Sequence, residues 1–210
     1  MEVTARDAYG QLRRVPICCN VAVISLPLQT DHLSIEMMRP QHAASLADYR
    51  SHPEVARFQD WETPYTIEMA ERLIDGQSQL DGPASDDWVQ LAVVLGGRAI
   101  GDVAVGIHDN AQQATIGYSI TPAEQGKGYA TEAVAAVVGA LFDEAHLHRI
   151  SAGIDPENIA SRRLLEKLGF RYEGRSVQSV LVRGVWVDDD RFALLAHEYK
   201  RPITPGDDRR

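Results

Sequence analysis

Gln125-Gly126-Lys127-Gly128-Tyr129-Ala130 is a glycine-rich turn between a strand predicted over residues 115–120 and an amphipathic helix predicted over residues 130–145. Such a turn presents backbone N–H groups that have no intrahelical partner, beside the positive end of the helix dipole. The two glycines allow a ligand to approach the backbone closely, and Lys127 adds a cation. The stretch therefore predicts a binding site for a phosphate or pyrophosphate at a strand-to-helix connection.

Two common nucleotide-binding motifs do not match this turn. A P-loop requires Ser or Thr after Gly-Lys, whereas Gly128 follows Lys127 here. A dinucleotide-binding fingerprint requires a third small residue at the position of Thr131. Taken alone, the stretch is also compatible with an ordinary turn that carries two glycines, so its interpretation depends on a second motif.

That second motif lies downstream and reads Asn158-Ile159-Ala160-Ser161-Arg162-Arg163-Leu164-Leu165-Glu166-Lys167-Leu168-Gly169-Phe170. Together the two stretches resemble the GNAT family of N-acetyltransferases. That family has Gln/Arg-x-x-Gly-x-Gly/Ala after its fourth strand and Asn-x-x-Ser/Ala before a short helix that ends in Glu-Lys-Leu-Gly-Phe. Matches at residues 29–33, 52–58, 117–122 and 190–195 are similar to the subgroup of the ribosomal-protein acetyltransferases RimJ and RimL. The resemblance covers about residues 29–200.

The resemblance implies a mixed α/β fold, with a mostly antiparallel sheet, one parallel β-α-β unit and a splayed strand pair that binds acyl-CoA. The order of the predicted elements independently gives one right-handed β-helix-β unit over residues 112–154. A hairpin is predicted over residues 88–106, and an antiparallel pair over residues 170–183 and 191–197. We expect residues 1–28 to form a poorly packed N-terminal extension, 29–200 the acetyltransferase domain and 201–210 a frayed tail.

The resemblance also implies how the co-substrate acetyl-CoA is held. The backbone of residues 118–120 is expected to bond the pantetheine arm, the turn at 125–130 to hold the pyrophosphate, and Asn158 to lie near the thioester. Lys127, Arg162, Arg163 and Lys167 are expected to give the phosphates a basic patch. The predicted cofactor-binding residues are Tyr118, Ser119, Ile120, Gln125, Gly126, Lys127, Gly128, Tyr129, Ala130, Asn158, Ser161 and Arg163.

The general base implied by the family is missing from its usual position. Many relatives carry a glutamate on the fourth strand just before Gly-Tyr, and this chain has Thr115 there. The next candidates for a catalytic base are Asp60 and Glu62, followed by Asp102 and His108. For each of these residues, a solvated surface role is the competing interpretation.

The general acid implied by the family is also absent, because Leu165 occupies the position of the tyrosine that many relatives use. RimL-like relatives place a serine hydroxyl near the thiol instead, and Ser161 matches that serine. The competing interpretation of Ser161 is a first-turn serine that bonds backbone. Glu132 is explained without catalysis, because a carboxylate in the first turn of a helix is favourable.

Composition restricts the partners and the compartment. The 210 residues carry a formal net charge of −9, which argues against nucleic acid as a partner. No apolar run approaches the roughly 20 residues that span a bilayer, so no membrane partner is expected. Cys18 and Cys19 have no partners at metal-ligand spacing, which predicts no metal site and a reducing, cytoplasmic location.

These observations predict an acyl-CoA-dependent N-acyltransferase that transfers acetyl from acetyl-CoA to a primary amine by direct attack. The first choice of acceptor is a protein N-terminal α-amine, as in RimJ and RimL. One alternative is an acetyltransferase that inactivates an aminoglycoside or another polycationic small molecule, which the acidic charge permits. Another is a non-catalytic acyl-CoA-binding regulatory module, which the missing glutamate and tyrosine permit. A homodimer is left open.

Overall fold

The structure, a computed structural model, describes residues 2–6, 12–16, 24–83, 88–108 and 112–200. The predicted tail at 201–210 and most of residues 1–23 lie outside the described residues. Ile24 is buried in the core and Leu28 pairs with Ile35, so the packed domain includes residues 24–28 of the segment that was expected to be an extension.

Eight of the ten described strands form one sheet that is antiparallel except at one pair. The ten strands are β1 (Glu2–Arg6), β2 (Leu12–Pro16), β3 (Leu28–Gln29), β4 (Leu33–Met37), β5 (Trp88–Leu95), β6 (Arg98–His108), β7 (Gln113–Ile120), β8 (Arg149–Ile154), β9 (Arg171–Val182) and β10 (Val185–Leu195). Strands β3 to β10 form one eight-stranded sheet in the order β3-β4-β5-β6-β7-β8-β10-β9, whereas β1 pairs with β2. Only β7 and β8 run parallel within the described sheet, which confirms the predicted fold class.

The helices cover both faces of this sheet. They are α1 (Ala43–Ser51), α2 (Pro53–Ala56), α3 (Ile67–Gly76), α4 (Tyr129–Asp143) and α5 (Ile159–Lys167). Helix α4 connects β7 to β8 and buries Val134, Val137 and Leu141 completely in the main core. Each such side chain stabilises the fold by about 1.5–3 kcal/mol. Helices α1 and α3 pack with Ala92 of β5 in a second core cluster.

The feature that matters for function is the divergence of β7 from β8. The two strands pair at Gln113–Arg149, Ala114–Ile150 and Thr115–Ser151, and the pairing stops there. On its other side, β7 stays paired with β6 as far as Ile120. Residues 116–120 therefore present their unpaired backbone edge to a cleft, as the predicted splayed pair requires.

The local turn chemistry of the sequence is expressed in two places. Gly96 and Gly97 adopt positive φ values of 56° and 83° and join β5 to β6, which confirms the predicted hairpin. Gly169 has a φ of 86° and follows the end of α5, as predicted.

The expectation that the last strand begins at residue 191 is wrong. Arg183 and Gly184 both have positive φ and form a tight hairpin turn, so β10 begins at Val185.

Candidate active site

The glycine-rich turn has the geometry that a phosphate group needs. Gly126 and Gly128 have φ values of 74° and 93°, and no heavy atom lies within 4 Å of a Cβ built on either residue. Among the described residues, no backbone N–H from Gly126 to Thr131 donates to a protein acceptor. The N-terminus of α4 is thus an open cradle of free donors, which fits the diphosphate of CoA.

A cavity of about 370 Å³ continues from this turn between β7 and α5. Most of the predicted cofactor-binding residues line it: Tyr118, Ser119, Ile120, Gln125, Gly126, Gly128, Ala130, Asn158 and Ser161. The cavity therefore brings the two sequence motifs together along the unpaired edge of β7.

The basic patch expected for the phosphates is weaker than the sequence suggested. Lys127 donates to Glu124 at 2.8 Å. Arg162 is bound to the buried Asp190, so its charge is already compensated. Arg163 is exposed and does not line the 370 Å³ cavity, and Tyr129 packs beside His32 at 5.9 Å between ring centroids. The backbone donors of the turn, rather than side-chain cations, dominate this end of the site.

Asn158 and Ser161 lie at the start of α5. The Oδ1 atom of Asn158 accepts a hydrogen bond from the Ser161 N–H at 3.1 Å, so Asn158 caps the helix as predicted. The Ser161 hydroxyl has no hydrogen-bond partner in the part of the chain that the structure describes, and the backbone bond expected of a first-turn serine is not formed. The Tyr118 hydroxyl donates to the Ser161 carbonyl at 3.3 Å, and burial raises the pKa of Tyr118 to about 12.

A second cavity of about 840 Å³ adjoins the first. Phe58, Gln59, Tyr118, Ser119 and Asn158 line both cavities. The larger cavity is walled by the segment at 57–61 on one side and by the β9–β10 hairpin on the other. It is the space available to an acceptor.

The two cavities meet where β7 and β8 separate. Gly117 and Gly153 each lie two residues beyond the last paired residues, Thr115 and Ser151, and on the same faces of their strands as these. Both glycines line the larger cavity. The strands are no longer paired at this level and neither residue carries a side chain, so we refer to the gap between Gly117 and Gly153 as the glycine opening.

Of the bases suggested by sequence, Asp60 is exposed and lines the larger cavity, whereas Glu62 is exposed and does not line it. Asp102 accepts from Arg50 Nη2 at 2.6 Å, and both side chains are buried. Burial alone would lower the pKa of Arg50, but the neighbouring carboxylate raises it overall. The surface role considered for Asp102 is therefore wrong, and its carboxylate already has a cationic partner.

The position of the missing glutamate is occupied by Thr115, whose hydroxyl lies in a chain of side chains that includes no carboxylate. Thr115 Oγ1 lies 3.0 Å from His108 Nε2 and 3.1 Å from Ser151 Oγ. Glu132 accepts hydrogen bonds from the Thr30 hydroxyl and the His32 N–H at 2.6 and 2.9 Å. These bonds lower the pKa of Glu132 although burial opposes them, and they tie α4 to the start of the domain.

Sequence reasoning overlooked the acidic run Asp188-Asp189-Asp190 in β10. Asp190 is fully buried and is bound by Arg162, Arg175 and Tyr172. Asp188 and Asp189 line the larger cavity. A signal was present, because successive residues of a strand point to opposite faces and three consecutive acids must place at least one inside.

Two kinds of feature are not found in the described residues. No helix there combines the length and apolarity that crossing a bilayer requires. No three His, Cys, Asp or Glu side chains within that part of the chain are grouped so that they could share a metal ion.

Comparisons with known proteins agree with this geometry. Residues 32–171 match the family model described as an acetyltransferase (GNAT) domain. A Bacillus subtilis protein named probable N-acetyltransferase YjcK is 39% identical over 136 residues, which are 62% of this chain and 74% of that protein. A ribosomal protein uS5-alanine N-acetyltransferase of Escherichia coli is 38% identical over 91 residues, 43% of this chain and 45% of the relative. The structure of Mycobacterium smegmatis RimJ in complex with CoA-disulfide superposes with a TM-score of 0.68 at 26% identity, over 79% of this chain and 83% of that one.

Proposed function

As a member of the GNAT family, this chain is an acetyl-CoA-dependent N-acetyltransferase, and we propose that the amine it acetylates is the N-terminal α-amine of a protein. Acetyl-CoA supplies an acyl group activated as a thioester. The proposed cofactor site is the smaller cavity. It is supported by the glycine-rich turn, the unpaired edge of residues 116–120 and Asn158 along that cavity. The larger cavity leaves space for the acceptor on the other side of the glycine opening.

The observation that carries the acceptor proposal is the presence of Thr115, in contact with His108 and Ser151, at the position where the family resemblance implies a glutamate. The attacking amine must lose a proton before it reacts. At pH 7 this costs about 1.4 kcal/mol for an α-amine with a pKa near 8 and about 4.6 kcal/mol for a lysine amine near 10.4. A site without a strand glutamate favours the less basic amine.

The relatives support the same choice of acceptor. The Escherichia coli relative is named for acetylation of an alanine of ribosomal protein uS5, and the Mycobacterium smegmatis structure is of RimJ. The larger cavity, of about 840 Å³, has space for the first residues of a peptide. We extend the proposal to a cytoplasmic site of action, where newly made N-termini are available.

The test is an acetylation assay that reads free CoA thiol. A short peptide with a free alanine N-terminus is compared at pH 7 with the same peptide blocked at its N-terminus and carrying one lysine. We expect kcat/KM to favour the free N-terminus on the order of hundredfold, from the difference in amine pKa. A preference for the blocked lysine peptide would overturn the proposal.

The same assay separates the alternatives. Spermidine and an aminoglycoside represent polycationic small molecules, which the net charge of −9 permits as acceptors. If either one exceeds the peptide in kcat/KM, the protein N-terminus is the wrong acceptor class. Acetyl-CoA binding without thiol release from any amine would indicate a binding module.

A further inference from the structure

Asp189 is a buried carboxylate that faces the acceptor cavity and that neither the sequence motifs nor the cofactor site accounts for. The residue is 6% exposed and lines the 840 Å³ cavity. An acidic side chain is rarely buried without a partner or a function. Its surroundings therefore need a physical explanation.

The carboxylate lies at the glycine opening. A Cβ built on Gly153 would meet Asp189 Oδ1 at 2.6 Å and Oδ2 at 2.8 Å, which is closer than a real contact allows. Asp189 thus occupies the space in which a side chain at position 153 would lie, two residues beyond the point where β7 and β8 separate. The missing side chain at Gly153 is what admits the carboxylate to this position.

The backbone of β10 is adapted at the same place. The pairing of β10 with β9 shifts between Val187 and Asp189, where Asp188 accepts a hydrogen bond from the Gln178 N–H at 2.9 Å. Bulges of this kind occur beside active sites and redirect a side chain. Here the shift directly precedes the residue whose carboxylate lies over Gly153.

One oxygen of this carboxylate is available. Arg191 Nε contacts Oδ2 at 2.5 Å, and no donor among the described residues is hydrogen-bonded to Oδ1. The charged groups that act on the carboxylate are both on β10: Arg191 lies on the same face, and Asp190 is the neighbouring residue on the opposite face. From β8, position 153 contributes only backbone, and the register partner on β9 is the neutral Ser176.

The electrostatic setting suits a proton acceptor. Burial raises the pKa of Asp189, Asp190 raises it further, and Arg191 opposes this by lowering it. A carboxylate with a raised pKa is a stronger base than a solvated one, which reduces the free energy needed to take a proton from an amine. The exposed Asp60 lacks this burial.

We propose that Asp189 is the general base of the acetyl transfer and that its Oδ1 accepts a proton from the acceptor ammonium at the glycine opening. The nitrogen lone pair that is freed attacks the thioester carbonyl carbon. An N–C bond forms, the C–S bond breaks, and its electron pair leaves with sulfur. The nitrogen loses two protons in all: one passes through Asp189 to solvent, and one ends on the thiolate. The products are an amide, the CoA thiol and one proton.

This inference deepens the proposed function and rests on acetyl transfer to an amine, but not on which amine is the acceptor. It requires only that the acceptor arrives protonated. A weak base assists an α-amine more readily than a lysine amine, because the α-amine pKa lies nearer to that of the carboxyl. The placement of Asp189 therefore agrees with the acceptor proposed above.

The experiment compares Asp189→Asn with the wild-type protein from pH 6 to above the pKa of the acceptor amine, using the best acceptor among the alanine peptide, the blocked lysine peptide and spermidine. A general base contributes about 10²–10⁴-fold, so we expect kcat/KM of the variant to fall about hundredfold at pH 6.5. Above the acceptor pKa the amine is already neutral, and the loss should shrink below about tenfold. The affinity for acetyl-CoA, measured by calorimetry, should not change.

A second variant tests position rather than charge. Gly153→Ala keeps the Asp189 carboxylate but displaces it, since the new Cβ would lie 2.6 Å from Oδ1. We expect the same loss, largest at low pH. The matched controls are Asp48→Asn, an exposed residue of α1, and Gly76→Ala, where nothing lies within 4 Å of the added Cβ.

Two results would overturn the assignment. One is an Asp189→Asn activity within threefold of wild type at pH 6.5. The other is a loss of equal size at every pH in a folded variant, which a purely structural Asp189–Arg191 pair would give. If Asp189→Asn does not fold, the pH profile of Gly153→Ala decides by the same criteria. Since the acceptor is chosen by turnover, a wrong acceptor class and a wrong base give different outcomes.

Discussion

The Arg50–Asp102 pair allows a test that distinguishes a structural carboxylate from a catalytic one. The side chains of Arg50 and Asp102 are 7% and 4% exposed and lie 2.6 Å apart, and Arg50 Nε is buried without a partner. Replacing Asp102 by Ala would leave a buried guanidinium uncompensated. Removal of one member of a buried pair costs about 3–5 kcal/mol.

For a domain of this size, 1 kcal/mol corresponds to a change in melting temperature of about 2–4 °C, so Asp102→Ala should melt about 6–20 °C lower. Replacing both partners, as in Arg50→Met with Asp102→Leu, removes the unpaired charge. That double variant should recover most of the lost stability, because apolar replacement of a buried pair is often neutral or favourable. Differential scanning calorimetry of the wild type, Arg50→Met, Asp102→Leu and the double variant gives the coupling free energy.

The Arg50–Asp102 pairing also has a consequence for activity. Since Arg50 already holds the Asp102 carboxylate, we expect kcat per folded molecule of Asp102→Ala to fall less than tenfold at a temperature where the variant is folded. An unchanged melting temperature together with a loss of activity of hundredfold or more would refute this reasoning. Asp102 would then be the base, as the sequence allowed.

Three further predictions concern the cofactor site and the hairpin. Gly128→Ala places a Cβ at a φ of 93°, so the free energy of unfolding should fall by about 1–2 kcal/mol. Calorimetry should also show weaker acetyl-CoA binding, and an unchanged affinity would mean that the turn is not part of the cofactor site. Ser161→Ala should lower kcat about tenfold to hundredfold without loss of stability, because its hydroxyl has no protein partner among the described residues; the reverse pattern would indicate a structural role. Arg175 and Arg162 lower the pKa of Asp190, although burial opposes this. The ionised Asp190 carboxylate therefore stabilises the fold above the pKa of the unfolded chain, near 3.9. That stabilisation is lost as the pH falls through the pKa of the folded state. Asp190→Asn should therefore melt well below wild type at pH 7, and the difference should narrow progressively as the pH falls below the unfolded value near 3.9. A difference that stays the same at every pH would contradict this.

The elements that the sequence predicted well are those set by local chemistry. The turn at 125–130 and the helix start at Asn158 follow from glycine conformation and from capping, which act within a few residues. A splayed strand pair was implied by the family resemblance, and the structure shows the separation after Thr115. All three are confirmed by the structure.

The elements that were missed depend on contacts between distant parts of the chain. Asp102 is paired with Arg50, which lies 52 residues earlier, and no local pattern specifies that partner. Arg162 was assigned to phosphates because it follows a cofactor motif, but it binds Asp190 on β10. Asp189 was overlooked because its importance arises from Gly153, a residue of another strand.

The construction of the two walls has an evolutionary consequence. In the function proposed here, the cofactor lies along β7, α4 and α5, whereas the larger cavity, proposed for the acceptor, is bounded by the segment at 57–61 and the tip of the β9–β10 hairpin. Val180, Val182 and Val185 at that tip belong to the larger cavity and do not line the smaller one. Substitutions there can change which amine is accepted while acetyl-CoA binding is retained. The hairpin tip is therefore the segment in which homologues can diverge in substrate, and the place to begin if the acceptor is to be redesigned.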